Sequence, residues 1–331
     1  METLESILVG IDGSERGKKA LKWAARLANR EGAHLTLLAV IDPASNELVG
    51  SDHRVLREAV ENVLGEAQDF VRGDYPELAM DASYVSGDIV EALVGAAESH
   101  DMIVMGSHHG ASVAERVWGA KGLRVSVSAS VPTVVVPADW DPYNEAKGIV
   151  VGVGPQDEVS DKAVELGVHL AKVLEEPLEL ISSWGIPTLL SRSAEFMGGG
   201  LAPVGESFQR NLDARVAAIR AAEPALEVEG HSIEAPSPTQ ALMQRSKDCR
   251  VLLLGTHARS AVSRALFGST TCGVLAHLQV PTAVVPMEIT CLIAESALRL
   301  MLQRAFFVFG RDGLWAGAMP GCWGVWVLKA G

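Results

Sequence analysis

Short apolar runs alternate with amphipathic segments along most of the chain. Residues 7–11 form an apolar run typical of a fully buried strand, and Ser14 can cap the helix that follows it. Further strands are predicted at residues 35–41, 82–85, 103–105 and 134–136, and helices at 53–71, 88–97, 160–174, 206–222 and 239–246. Because buried strands that alternate with amphipathic helices form parallel sheets covered on both faces, the pattern predicts an α/β, doubly wound, Rossmann-like fold.

The chain also repeats itself. Three blocks recur in the same order, with residues 7–12 matching 149–154, 103–107 matching 252–256, and 131–137 matching 280–286. Such internal repetition indicates two copies of one domain. We predict domains at residues 1–140 and 148–287, joined by a polar linker at 141–147. Residues 288–331 are then a hydrophobic tail that belongs to neither domain.

The composition narrows the classes of function. Lys and Arg number 28 and Asp and Glu 41, for a net charge of −13, and such a surface repels phosphate backbones, so no nucleic-acid partner is expected. The four cysteines are scattered and predict neither disulfides nor a zinc site. The first residues lack the features of a signal peptide, which predicts a cytoplasmic protein. The uncharged run 313–328 is shorter than the ~18–20 residues of a spanning helix, so membrane association is not expected.

Candidate chemistry lies in the loops after the predicted strands, because ligands of open parallel sheets bind at the carboxyl ends of the strands. Neither a GxxxxGK[ST] phosphate loop nor a complete GxGxxG fingerprint is present. The fourth strand of the first copy ends in Met105-Gly106 and is followed by Gly119, whereas that of the second copy ends near Gly255 and is followed by Gly268-Ser269-Thr270. A glycine after a buried strand lets backbone amides approach a ligand, and a helix start favours an anion.

These residues resemble the universal stress protein family. Its pattern is an aspartate that ends the first strand, then G-x-x-G, nine residues and G-[S/T] after the fourth strand. The resemblance covers residues 1–287 as a tandem pair and implies an adenine nucleotide alpha hydrolase-like fold that binds ATP, with or without Mg²⁺. It further implies that Asp12 accepts a hydrogen bond from the adenine amino group, that Val40 lines the base and ribose, and that Met105, Gly106 and Gly119 frame the ribose and phosphates.

The first copy departs from this pattern on the phosphate side. His109 stands in place of the middle glycine, Gly110 is displaced by one position, and Ala120 replaces the expected serine. Lys121 is therefore a candidate phosphate contact, and equally an ordinary exposed lysine. Asp12 itself also has a structural alternative, as a turn aspartate that supports the helix capped by Ser14.

The second copy departs on the base side. Gly154 replaces the aspartate, Ser183 the valine and Ala258 the middle glycine, although Gly268, Ser269 and Thr270 are kept. Since the pockets of the family form within one domain, the two partial pockets are not expected to complete each other. We therefore expect nucleotide binding by the first copy and a degenerate pocket in the second.

The final strand of each copy is a candidate interaction surface. These apolar strands run from Val131 to Val136 and from Val280 to Val285, and each has a proline near its start. Proline is tolerated at sheet edges, where unpaired backbone can bind a partner. The two copies can pair in this way within one chain, and we expect a homodimer through the same strands.

The resemblance predicts a cytoplasmic regulator of the stress response that binds ATP and associates with an unidentified regulatory protein. The sequence offers no nucleophile–base pair, metal constellation or carboxylate pair, so we expect at most weak ATPase activity. Two alternatives remain open. One is a nucleotide-free interaction scaffold with decayed pockets, and the other is an enzyme that hydrolyses ATP slowly.

Overall fold

The computed structural model describes residues 3–42, 53–107, 121–143, 146–154, 158–185, 202–256 and 269–286, together with the backbone of three short strands near the C-terminus. The chain divides into two compact units, Met1–Met287 and Glu288–Gly331. All further residues named below, apart from those of the three short strands, belong to the first unit.

In its described residues, the first half of this unit contains five strands and four helices. The strands are β1 (Ser6–Ile11), β2 (His34–Ile41), β3 (Met80–Ser86), β4 (Met102–Gly106) and β5 (Thr133–Val136). The helices in its described residues are α1 (Glu15–Glu31), α2 (His53–Asp74), α3 (Ile89–Ala97) and α4 (Lys121–Ser128).

The second half repeats this order in its described residues. Its strands are β6 (Ile149–Gly152), β7 (Leu178–Trp184), β8 (Val228–Glu234), β9 (Val251–Thr256) and β10 (Thr282–Pro286). Its helices are α5 (Glu158–Leu174), α6 (Ala202–Ala222), α7 (Pro238–Arg245) and α8 (Ser269–Ala276). Each strand and helix predicted above is found, with ends that differ by a few residues.

All ten strands form one sheet in the order β3-β2-β1-β4-β5-β10-β9-β6-β7-β8. The strands within each half are parallel, whereas β5 and β10 are antiparallel, with Thr133 opposite Val284 and Val135 opposite Thr282. The predicted α/β fold with two doubly wound, mostly parallel halves is therefore confirmed.

The final strands do not lie at the edges of this sheet. β5 pairs with β4 on one side and β10 on the other, and β10 pairs with β5 and β9. The pairing of the two copies within one chain is thus confirmed, but the prediction of a homodimer through these strands is wrong, because neither strand has an unpaired side. Among the described strands, β3 and β8 are the outer ones.

Helix α1 shows how the sequence produces this packing. Its buried residues recur at helical spacing and form one apolar face against the sheet, namely Ala20, Leu21, Ala24, Leu27 and Ala28. The Ser14 side chain caps the helix by accepting a hydrogen bond from the backbone N–H of Gly17, as predicted. Gly32 ends the helix in the left-handed conformation, with φ of 72°.

The two halves also contact each other beside the sheet. Nε2 of His169 on α5 lies 2.7 Å from Oε1 of Glu31 at the end of α1, and the Glu31 side chain is only 1% exposed. Nζ of Lys19 donates a hydrogen bond to the carbonyl oxygen of Ala138, just beyond β5. Helix α1 is therefore held by one half at its start and by the other at its end.

The C-terminal unit is described only as backbone. Its strands β11 (Val308–Phe309), β12 (Leu314–Gly317) and β13 (Trp326–Lys329) form a separate antiparallel sheet. Within the described residues of the chain, no helix is both long enough and apolar enough to cross a membrane.

One helix end should respond to mutation in a predictable direction. Glu175 follows α5 with a left-handed φ of 56°, at the place where α1 is followed by Gly32. We expect Glu175→Gly to raise the free energy of unfolding by about 0.5–1 kcal/mol, because glycine adopts this conformation without steric strain. Urea unfolding measures the change.

Gly32→Ala is the matched control. A Cβ built at Gly32 meets no other atom within 4 Å, so its positive φ alone should make alanine destabilising there. A lower unfolding midpoint for Glu175→Gly would contradict the assignment of strain to this residue.

Candidate functional site

The strands of the first half end at a cleft of about 220 Å³. β1, β2 and β4 each contribute residues to it, as expected for the carboxyl ends of parallel strands. Five residues predicted from separate parts of the sequence line this one cleft, namely Asp12, Val40, Met105, Gly106 and Lys121. The predicted contacts His109, Gly110, Gly119 and Gly268 lie outside the described residues.

Asp12 follows β1 and organises the turn into α1. Its Oδ1 accepts hydrogen bonds from the backbone N–H of Ser14, at 3.0 Å, and from the Ser14 hydroxyl, at 2.7 Å. Asp12 is therefore a turn aspartate that supports the helix capped by Ser14, as the structural alternative stated. Asp12 also lines the cleft, so the turn and a ligand contact are compatible roles for one carboxylate.

Two glycines allow the elements around Asp12 to approach closely. A Cβ at Gly106 would lie 3.3 Å from the carbonyl oxygen of Arg16, so the end of β4 abuts the first turn of α1. A Cβ at Gly17 would collide with Oδ1 of Asp12. Gly17 was not singled out from the sequence, and a side chain at that position would displace the Asp12 carboxylate.

Apolar side chains form much of the remaining wall. The cleft is lined by Ile89 and Leu93 of α3 and by Leu38 and Val40 of β2, which belong to one hydrophobic cluster, and Leu93 is 2% exposed. These contacts, except Val40, were also missed, as were Gly10 and Ile11. The i, i+4 spacing of Ile89 and Leu93 marks the buried face of α3, and this signal could have placed both residues beside β2.

Charged groups lie at the starts of two helices of the first half, and of these Lys121 lines the cleft. Lys121 begins α4, and Asp88 caps α3 by accepting hydrogen bonds from the backbone N–H groups of Glu91, at 3.0 Å, and Val90, at 2.8 Å. The bond from Glu91, then that from Val90, lowers the pKa of the Asp88 carboxyl, and the positive charges of Arg124 and Lys121 contribute less.

The corresponding region of the second half is packed more tightly. A Cβ at Gly152 would lie 2.8 Å from Cδ2 of Leu254 and 3.2 Å from Leu242, whereas a Cβ at the equivalent Gly10 would lie 3.5 Å from Leu93. The hydroxyl of Ser183, which replaces Val40, is buried and has no hydrogen-bond partner among the residues that the structure describes. Gly154 supplies no carboxylate where Asp12 stands in the first half.

The predicted phosphate contacts of the second half occupy the expected elements. Gly255 lies in β9, and Ser269 and Thr270 begin α8. Ser269 is exposed, and the carbonyl oxygen of Thr270 accepts a hydrogen bond from the Thr239 hydroxyl at 3.5 Å. Across the residues that the structure describes, no three His, Cys, Asp or Glu side chains are grouped so that they could hold a metal ion.

The fold and the cleft define a class of protein, namely two tandem α/β domains of which the first has an open site at the carboxyl ends of its strands. The model of the universal stress protein family matches residues 3–137 and again residues 145–286. The chain therefore belongs to the universal stress protein family, as the sequence predicted.

Individual relatives are similar in sequence to this chain over most of their length. A universal stress protein from Mycolicibacterium smegmatis is 23% identical over 302 residues, covering 84% of this chain and 96% of the relative. Universal stress protein Rv2005c from Mycobacterium tuberculosis is 23% identical over 298 residues, with the same coverage. The crystal structure of a universal stress protein from Archaeoglobus fulgidus superposes with a TM-score of 0.65 at 19% identity, covering 85% of this chain and 96% of that one. The likeness to the solved structure supports the fold.

The Asp88 cap of helix α3 predicts a pH dependence of the stability. Because the pKa of Asp88 is lower in the folded chain than its ordinary value of about 3.9, its ionised form stabilises the fold above that pH, and the contribution is lost as the pH falls through the lowered pKa. We expect Asp88→Asn to be less stable than the wild type at pH 7, with a difference that closes below about pH 4.

Thermal unfolding between pH 2.5 and pH 7 measures this difference. The control is Glu98→Gln, at the C-terminal end of the same helix. It removes a carboxylate from a residue whose capping bonds are made by its backbone N–H. A constant difference between wild type and Asp88→Asn across this range would contradict the role of the ionised cap.

Proposed function

We propose that this chain is an ATP-binding regulatory protein whose nucleotide site is the cleft of the first half. The observation that carries the proposal is that Asp12, which follows β1, lines one cleft together with Val40 of β2 and Gly106 of β4. These are the positions that the family pattern assigns to the base, the ribose and the phosphates.

The base would lie between apolar walls. The cleft is lined by Val40 and Leu38 of β2 and by Ile89 and Leu93 of α3, and a planar base would bury its apolar surface against such side chains. Asp12 at the end of the slot supplies a carboxylate that can accept a hydrogen bond from the adenine amino group. Apolar walls with one placed acceptor are typical of sites that read a base.

The phosphates would lie towards α4. Lys121 begins this helix and lines the cleft, so its ammonium group and the positive end of the helix dipole both favour an anion there. Lys121 would replace the serine hydroxyl that the first copy lacks. Any Mg²⁺ would be bound through the phosphates, as Mg²⁺ commonly is.

The second half would not bind nucleotide in the same way. Gly154 offers no acceptor for the base, and Leu254 and Leu242 crowd the equivalent of Gly10. We therefore propose one nucleotide per chain, with domains at residues 1–140 and 148–287, a linker at 141–147 and a tail at 288–331.

The residues that line the cleft fit a regulatory role of a bound nucleotide better than a catalytic one. The described lining residues comprise glycines, apolar side chains, one carboxylate and one lysine, without a paired nucleophile and base. Bound ATP would alter the association of this chain with another protein in the cytoplasm. The scaffold and hydrolase alternatives are therefore outcomes of the test below.

Titration calorimetry of ATP with Mg²⁺ into the full chain tests the proposal. We expect one site per chain, and a loss of affinity of about ten- to a hundredfold in Asp12→Ala, because a hydrogen bond to a charged group contributes about 1.5–3 kcal/mol. Ser269→Ala, at the equivalent helix of the second half, is the matched control and should bind as the wild type does.

Two results would contradict this function. Absence of binding up to millimolar ATP would leave a nucleotide-free scaffold. Steady release of phosphate that Asp12→Ala abolishes would make the chain a hydrolase.

A further inference from the structure

A directed relay of hydrogen bonds leads from helix α1 to the Asp12 carboxylate. The backbone N–H of Gly17 donates to the Ser14 hydroxyl oxygen at 3.0 Å, and the Ser14 hydroxyl donates to Oδ1 of Asp12 at 2.7 Å. Since the hydroxyl has a single proton and accepts from Gly17, that proton is directed to Asp12. A second bond, from the backbone N–H of Ser14, also ends on Oδ1.

The relay fixes the carboxylate in two ways. Both bonds from Ser14 end on the same oxygen, so the rotation of the Asp12 side chain is restricted, and its position over the start of α1 is electrostatically favourable. Gly17 leaves the space that Oδ1 occupies, since a Cβ there would collide with it. The orientation of Asp12 in the cleft thus depends on Ser14 and on Gly17, which itself lines the cleft.

We infer that Ser14 and Gly17 are positioning residues that set the selectivity of the cleft for a 6-aminopurine. The inference rests on the proposed function, because it assumes that Asp12 meets the base. A carboxylate held in one orientation accepts a hydrogen bond best from a donor at one place on the base. A carboxylate free to rotate would accept hydrogen bonds from donors at several places. Ser14 and Gly17 therefore act on the discrimination between bases more than on the affinity for phosphates.

The second half shows the same kind of cap without this consequence. Ser237 caps α7 by accepting a hydrogen bond from the backbone N–H of Gln240 at 3.2 Å. Loss of either serine removes one helix cap, which is a structural effect common to both. Of these two serines, Ser14 is the one whose hydroxyl donates a hydrogen bond to a carboxylate that lines the cleft. Ser237 is therefore the matched control for Ser14.

The test compares the affinity for ATP with that for purine riboside triphosphate, which lacks only the 6-amino group. Both are titrated with Mg²⁺ into the full chain. We expect the wild type to prefer ATP about tenfold or more, as expected for a hydrogen bond to a charged acceptor. The ratio of the two affinities should fall towards one in Ser14→Ala and be restored in Ser14→Thr, which retains a capping hydroxyl.

Gly17→Ala and Ser237→Ala separate positioning from stability. Alanine is the better helix former, so Gly17→Ala should lose the preference for ATP even where the helix itself is not weakened. If Ser14→Ala fails to fold, as judged by circular dichroism, Gly17→Ala still tests the positioning role. Ser237→Ala should keep the full preference for ATP.

Several outcomes would overturn the inference. If Ser14→Ala and Gly17→Ala keep the wild-type ratio, or lose affinity for both ligands equally, the relay has only a structural role, while the proposed function stands. If the wild type binds neither ligand, the proposed function fails, and the inference fails with it. If the wild type binds both ligands equally, the inference fails although the cleft still binds a nucleotide.

Discussion

The antiparallel pairing of β5 with β10 is the interaction on which the rest of the structure depends. It joins two parallel five-stranded halves into one sheet, and it places Thr133 opposite Val284 and Val135 opposite Thr282. Because both strands are paired on both sides, an association that would otherwise need a second chain is completed within one. The contact between Glu31 and His169 beside the sheet follows from the same arrangement. The site in the first half is therefore built on a frame that the second half completes.

Close approach of the backbone is the second constraint on the cleft, at the end of the sheet where the strands stop. Gly106 brings β4 against Arg16, and Gly17 leaves room for the Asp12 carboxylate. The same carboxylate organises the turn into α1 and lines the cleft, so one group belongs to both the helix start and the candidate site. In the second half Gly154 replaces it and Leu254 crowds Gly152, so the described residues of that half offer neither the carboxylate nor the open space at these two positions. Divergence of a few side chains thus suffices to make the two halves unequal.

Much of this could be predicted from the sequence, and the remainder could not for physical reasons. The buried runs, the Ser14 cap and the repeated blocks each depend on local patterns, so the elements and the tandem fold followed from them. The location of the site followed from the rule that the carboxyl ends of parallel strands share one edge, whereas the choice of Asp12, Val40 and Gly106 followed from the resemblance to the universal stress protein family. The space that Gly17 leaves for Oδ1 of Asp12 depends on three-dimensional packing that no local pattern encodes. The pairing of the two copies was predicted, but the expectation that their final strands stay open to a second chain was wrong. Each strand is terminal within its own copy, and their pairing to each other removes the edge.

Hydrogen exchange of the full chain, with and without Mg²⁺ and ATP, tests the central claim that the two halves are unequal in ligand binding. The account predicts slower exchange of the backbone amides of Ser14, Gly17 and Gly106 with ATP, and unchanged exchange at Gly154 and Gly255 in the second half. The experiment measures the exchange of backbone amides in both halves of the same molecule and needs no mutation. Protection at Gly154 and Gly255, or equal protection in both halves, would contradict it.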